Sequence, residues 1–353
     1  MPKLTPPLVT VEAQRDLLAA ALAFRAERPW DFMGDVETLG WEDPVTGRLR
    51  MGVVLGMGGT MFGLAVYRGE WGIHFLLKTL LREDEQEPEM RDACEMDAVR
   101  VEFTKKGDLQ PEEIASLKVM GFKPEKGTGP AWPCFRSFLP GMSEWFLDQA
   151  ETEMMSADLR RVSGFARVLR ANPDMFDGQP FGAFPFWPRH KPVTETLELA
   201  ELEWHQLPLP PRPAPLAFPL TAEHFAQVRA LPQQPRAVWE AGSAYTLDVI
   251  GEPPRPYYTR VGMAVDRQTG FILGIHAGGR DSSLEHTAAR AVLEGMLKMG
   301  FRPRVLHMVD DAMRDAFAPV AQRLEIRVES GEELPSLLEA MQGLMEGMGR
   351  GMH

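Results

Sequence analysis

The stretch RVGMAVDRQTGFILGIHAGG (residues 260–279) decides how the rest of the chain is read. It continues as SSLEHTAARAVLEGMLKMG (282–300), RPRVLHMVDDAMRDAFAP (302–319) and LEIRV (324–328). Residues 261–265 are apolar, Asp266 ends that run, and residues 267–270 supply a turn before FILGI returns. This is the pattern of a β-hairpin. Leu284, Ala288, Ala291, Val292 and Leu297 then recur near helical spacing, which predicts a helix over 284–299. Residues 305–309 read as a buried strand with Asp310 and Asp311 at its carboxyl end, followed by a short helix and another strand. The order predicts an α/β domain with a mixed sheet.

Carboxylates at strand ends point to one chemistry. In open α/β sheets, ligand groups gather beyond the carboxyl ends of strands. Asp266, Asp310 and Asp311 there would form a catalytic set, with Asp266 and Asp310 holding Mg²⁺ or Mn²⁺, hard cations that prefer oxygen ligands. Two such ions could drive in-line attack on a phosphate. The element order resembles a ribonuclease-H-like fold, as in integrases and transposases, where one acid lies on the first strand and another ends the fourth. Asp310 matches the second acid by position. The first does not match cleanly: a transposase-like alignment starting at VWEAGSA puts Gly242 there, and a ribonuclease-like one uses Asp266, which falls late, at the turn. Glu240 is a further candidate, and neither Glu333 nor Glu339 has the spacing of a third acid. Each acid also has a structural role open to it: DRQTG makes Asp266 a turn former, and Asp310 or Asp311 can cap the helix that follows.

Other chemistries find less support. His276, His286 and His307 lack the HxxxH or HxH spacing of a zinc site. No serine sits in GxSxG. GMGG (56–59) lacks the GxGxxG spacing of a phosphate loop and leads into a strand, so it reads as a hairpin turn. Arg160, Arg161, Arg167 and Arg170 share a helical spacing that a solvated face explains.

With 353 residues, 44% apolar and 25% charged, the chain is globular and long enough for two cores. A net charge of −12 argues against broad nucleic-acid binding or an anionic membrane surface. No apolar run approaches the length of a membrane span. Two cysteines, Cys94 and Cys134, give no disulfide framework, and the amino terminus lacks a signal sequence, so a cytoplasmic protein is expected. Cys134, among the aromatics of WPCF, reads as a buried structural thiol.

Before the quoted stretch, the pattern predicts a helix over 11–28 and strands within 36–67. A helix follows over 70–81, a strand over 98–104, a short helix over 111–120 and an extended aromatic segment over 132–139. A long helical region opens near Ser143, a candidate cap, and a strand lies within 194–205. Six prolines among residues 208–219 make an extended linker, so the expected division is an α+β domain over 1–207, the linker, and an α/β domain over 220–353. In the second domain, 237–241 and 244–250 read as two short strands, 332–345 as a last helix, and GMGRGMH (347–353) as a frayed tail.

PWDFM (29–33), FGLAVYRG (62–69) and FRSFLPGMSEWFLDQAE (135–151) resemble an uncharacterised family of bacterial two-domain proteins, whose halves are domains of unknown function. The resemblance implies a bacterial cytoplasmic protein and assigns no catalytic residues. The expected function is therefore a non-enzymatic binding or accessory protein on a degenerate α/β module. It would need no cofactor and would meet a protein partner through an aromatic surface near Trp132, Phe135 and Phe138. The alternative is a divalent-metal-dependent nuclease or phosphotransferase using Asp266 and Asp310.

Overall fold

A computed structural model describes residues 4–81, 90–124, 130–211, 221–330 and 333–350. The chain divides into two compact units, residues 1–212 with 253–255, and residues 213–252 with 256–353. Of the proline-rich linker, residues 212–219 lie outside the described part.

The first unit is built on a seven-stranded sheet. In chain order its elements are α1 (Val11–Glu27), β1 (Leu39–Glu42), β2 (Leu49–Leu55), β3 (Phe62–Arg68), α2 (Gly69–Leu80), α3 (Met90–Glu95) and β4 (Ala98–Thr104). They continue with α4 (Pro111–Val119), β5 (Trp132–Phe138), α5 (Gln149–Ala171), β6 (Ala183–Phe186) and β7 (Glu203–Gln206). The strand order is β5-β4-β3-β2-β1-β6-β7, antiparallel except where β1 meets β6. Alternation along β2 sends Val54 to the face covered by α1 and α5, and Met51 and Val53 to the face covered by α2.

Charges inside this unit are paired. Asp158, in the middle of α5, accepts from Arg50 and Arg161 at 2.8 Å each, and Arg50 also reaches Asp43 at 3.0 Å. Asp158 is 1% exposed. Of the four arginines read as a solvated face, Arg161 is therefore buried, while Arg160 and Arg167 pair with Asp16 and Glu27. The start of α5 is tied to the sheet by a second cluster. Glu151 accepts from Arg68 and, at 2.6 Å, from the Ser137 hydroxyl, and completes a capping box with Asp148. Asp148 displaces Ser143 as the cap because residues 143–147 are held by the bridge between Ser137 and Trp145.

Burial raises the Glu151 pKa, but Arg68, the Ser137 hydroxyl and the Asp148 amide outweigh it and hold the carboxyl below its ordinary value of 4.5. A lowered folded pKa stabilises the fold above the unfolded value, and that contribution is lost as pH falls through the folded one. Thermal melts of wild type and Glu151→Gln between pH 7 and pH 3 are expected to differ most above pH 4.5 and to converge below it. A gap that widens on acidification would contradict the pairing.

Two strands read differently from their sequence. β6 lies within the aromatic and prolyl stretch 176–192, and β7 overlaps only the end of the strand expected over 194–205 and runs one residue past it. Both lie at one side of the sheet, where a single β1–β6 register pair, Gly40 with Phe186, suffices to join them.

The second unit comprises α6 (Ala222–Arg229), β8 (Gln233–Ile250), β9 (Tyr257–Asp266), β10 (Ile272–Gly278), α7 (Leu284–Met299), β11 (Arg302–Met308), α8 (Asp311–Arg323), β12 (Arg327–Ser330) and α9 (Pro335–Arg350). The strand order is β10-β9-β8-β11-β12. The first three are antiparallel neighbours, and β11 and β12 run parallel to β8. The two short strands expected within 237–250 are one strand, because Gly242 and Ser243 keep pairing, with Met263 and Gly262. The tail is helical to Arg350.

Both faces of this sheet are covered. Ser243, on one face, donates to the Leu284 carbonyl of α7 at 2.6 Å and lies 4.0 Å from the Met313 sulfur of α8. α7 lies against backbone: a Cβ on Gly262 would fall 2.3 Å from the Thr287 carbonyl oxygen, and one on Gly274 2.1 Å from that of Ala291. On the other face, Met263 and Val265 pack with Leu334 and Leu337 at the start of α9.

Candidate functional site

The acids of the quoted stretch sit at the ends of β9 and β11, and the sheet register fixes how far apart those ends are. Asp266 is level with Trp239 on β8. Asp310 follows Val309, whose N–H donates to the Ala241 carbonyl and whose side chain abuts Gly242. β9 and β11 flank β8 on opposite sides. The two backbones are thus separated by about 10 Å along the strands and about 9.5 Å across them. β9 ends level with Trp239 and β11 ends level with Ala241, and because they run in opposite directions on either side of β8 each strand continues away from the other's last residue.

Each acid is engaged where it stands. The Asp266 carboxylate accepts from the Thr269 amide at 2.9 Å, the Thr269 hydroxyl at 2.8 Å and the Gln268 amide at 3.2 Å, as a turn-forming aspartate does. Asp310 is the N-cap of α8 and accepts from the Met313 amide at 2.7 Å. Asp311, in the first turn of α8, pairs with Arg314 at 2.6 Å and accepts from the Ser330 hydroxyl. The expected metal pair, Asp266 with Asp310, does not converge, so these residues do not fit an ion held between them. Among the described residues, no three histidines, cysteines or carboxylates gather as a metal site needs.

The sheet position that a transposase-like alignment would give to the first acid is Gly242. A Cβ built there would lie 3.0 Å from both Leu337 of α9 and Val309. The place for an acid is therefore filled by apolar side chains. Glu240, two residues earlier on the same face, is fully buried. Its Oε2 accepts from the Leu337 amide at 2.9 Å, capping the first turn of α9 from another element, and its Oε1 lies 3.5 Å from the Arg267 guanidinium. Ser336 closes the same corner by donating to the Arg267 carbonyl at 3.0 Å. Glu240 reads in the sequence as a candidate acid, and its partner at Leu337 lies 97 residues away. The signal available was the spacing Leu334, Leu337, Met341, Leu344, an apolar stripe that needs a sheet face to cover.

The histidines stay separate. His276 is bound to Glu294 at 2.9 Å, and buried His307 faces Glu329 at 3.6 Å. His286 has its pKa lowered by burial, with Arg290 and His276 adding to the effect.

The three aromatics expected as a partner surface, Trp132, Phe135 and Phe138, do not share one face. Strand alternation puts Phe135 on the opposite face of β5 from the other two, packed against the main core. Trp132 packs edge-on against Phe122, and Phe138 takes the Arg100 guanidinium at 4.9 Å. Cys134 is buried, as expected, and burial pushes its thiol up to about 12.

Residues 15–184 match a family model described as a domain of unknown function, DUF7309, and residues 224–345 match a second, DUF6930. The chain thus carries two domains of unknown function in tandem. No curated protein matches it. Among solved structures, it is similar to a chain in a cryo-EM structure of the simian T-cell lymphotropic virus intasome in complex with the PP2A regulatory subunit B56 gamma. The identity is 14%, the match covers 39% of this chain and 45% of that one, and the TM-score of 0.25 is too low to carry an argument. The match spans less than half of that chain's length. No helix among the described residues is long and apolar enough to cross a membrane.

Proposed function

We propose that the second unit is a ribonuclease-H-like module without its acids, and that the protein is a non-enzymatic binding or accessory protein of a bacterial cytoplasm. The ribonuclease-H-like reading is supported by the element order. Three antiparallel strands are followed by a helix, a strand parallel to the first, a second helix and another parallel strand. The bacterial setting rests on the sequence resemblance, and the cytoplasmic one agrees with two free cysteines.

The observation that carries the non-enzymatic reading is the wall at Gly242. A metal-dependent phosphodiester enzyme needs carboxylates converging on an open sheet end. Here Leu337 and Val309 occupy that space, and the nearest buried carboxylate, Glu240, is committed to α9 and Arg267.

Mn²⁺ titration followed by melting temperature tests this directly. An ion bound at a hundred times its Kd adds about 2.7 kcal/mol, a shift of several degrees. The expected result is a midpoint unchanged within about 1 °C up to millimolar Mn²⁺. A rise of several degrees that Asp310→Asn abolishes would restore the metal-dependent nuclease or phosphotransferase.

A further inference from the structure

The five-stranded sheet of the second unit ends on one side at β10, and among the described residues no strand pairs with the outer side of β10. We propose that a second copy of this chain pairs there, antiparallel about a two-fold axis through Ile275, so that the two sheets become one.

The backbone is set for this pairing. The Asp266 amide donates to the Phe271 carbonyl at 3.0 Å. Antiparallel alternation, carried past the bulge between Ile272 and Gly274, then turns the backbone groups of Gly274, His276 and Gly278 toward β9. Those of Ile275 and Ala277 point outward. Edge strands are ordinarily kept from pairing by charges or proline. Residues 271–279, FILGIHAGG, contain no aspartate, glutamate, lysine, arginine or proline.

The side chains agree. Ile272 and Ile275 are level with Val265 and Met263, which pack against α9. Yet Ile272 is 38% exposed and Ile275 49%, so the apolar layer runs past its cover. A two-fold axis through Ile275 sets that side chain against its own copy and carries the layer across.

The other face of the sheet favours a second copy over a strand of different sequence. α7 lies over both outer strands, with Thr287 against Gly262 of β9 and Ala291 against Gly274 of β10. Its axis is therefore about half a strand spacing inside β10, and the two-fold sets the two copies of α7 about 10 Å apart. Packed helices lie about 8–10 Å apart, so the sheets can join without a clash. Glu294, held by His276 of β10 at 2.9 Å, marks the side of α7 that borders the edge, and Arg290 stands one turn before it. The two copies of α7 run antiparallel, so Arg290 of each comes against Glu294 of the other. The edge is thus complementary to itself in charge.

Sedimentation velocity of the full chain from about 1 μM to about 200 μM is expected to show a reversible rise to twice the mass of the chain. Ile275→Lys puts like charges directly opposite each other and should weaken the dimer about tenfold or more. Because Ile275 is exposed, its melting temperature at low concentration should stay at the monomer value. Arg290→Glu and Glu294→Arg should each weaken the dimer, and the two combined in one chain should restore it. Oxidation locates the axis. In Ile275→Cys the two Cα atoms would lie about 5.5 Å apart, within disulfide reach, and a linked dimer should form. In Ala277→Cys they would lie about 13 Å apart and should not link. Three results would overturn the proposal: a monomer at every concentration, which would leave the edge to another protein's strand; an Ile275→Lys dimer as tight as wild type; or equal cross-linking of the two cysteine variants.

Discussion

Asp158→Ala is expected to cost about 3–5 kcal/mol, a large part of the stability of a single unit. Two carboxylates and two guanidiniums are buried together here, Asp43 and Asp158 with Arg50 and Arg161, and their charges sum to zero. Burial pushes the Asp158 carboxyl up, and Arg50 and Arg161 oppose that push. Removing Asp158 leaves one positive charge uncompensated in the core beneath Trp41, whose ring lies 5.5 Å from the Arg161 guanidinium. An uncompensated buried charge is what makes such deletions severe. Replacing both members of a pair is milder, because the penalty of taking the charges out of water goes with them. Arg50→Met combined with Asp158→Leu leaves Asp43 and Arg161 in balance. It is therefore expected to be more stable than Asp158→Ala by about 1 kcal/mol or more. Urea melts followed by tryptophan fluorescence would measure both. A loss under about 1 kcal/mol for Asp158→Ala would mean that water reaches the cluster.

Gly274→Ala is expected to cost about 3 kcal/mol in the second unit, by overpacking. The added methyl group would sit 2.1 Å from the Ala291 carbonyl oxygen and 2.9 Å from the Gly295 nitrogen, both backbone atoms. No side chain can rotate out of the way, so α7 as a whole must lift. Gly262→Ala strains the same helix one turn earlier, at the Thr287 carbonyl. Once one methyl group has raised α7, the second costs less, so the double variant should lose less than the sum of the singles. Gly279→Ala is the control: nothing lies within 4 Å of its added Cβ, and it should change stability by about 0.5 kcal/mol or less. The same urea melts, read through the transition that contains Trp239, would decide. Equal effects at Gly274 and Gly279 would rule out close helix packing.

Local sequence signals match the structure where they are strong and continuous. The apolar spacing over 284–299 gave α7 with its bounds, and Gly300 ends it in the left-handed region as a helix-terminating glycine does. Signals failed where a residue has two uses. Gly242 reads as a break between short strands, yet in the sheet it continues β8, because its missing side chain makes room for Leu337 and Val309. Ser143 reads as a cap, but Asp148 with Glu151 three residues later is the stronger reciprocal pair. β6, among prolines, has no periodic signal and is placed by its neighbours.

The site was legible only as a set of parts. Asp266 and Asp310 do terminate strands, and each structural role open to it in the sequence is the one it fills. What no local pattern contains is direction. Whether two strand ends meet depends on which strand lies between them and which way each one runs, and β8 separates these two.

The hydrogen bond from Leu337 to Glu240 joins residues 97 positions apart. Neither a fragment ending after β10 nor one beginning at α7 can finish the interior it belongs to, since one lacks the helix and the other the carboxylate that receives it. Closing so wide a loop must be paid in chain entropy before any contact rewards it. The second unit should therefore assemble late and all at once, with no stable half-way species, and the step that seats α9 should govern its rate.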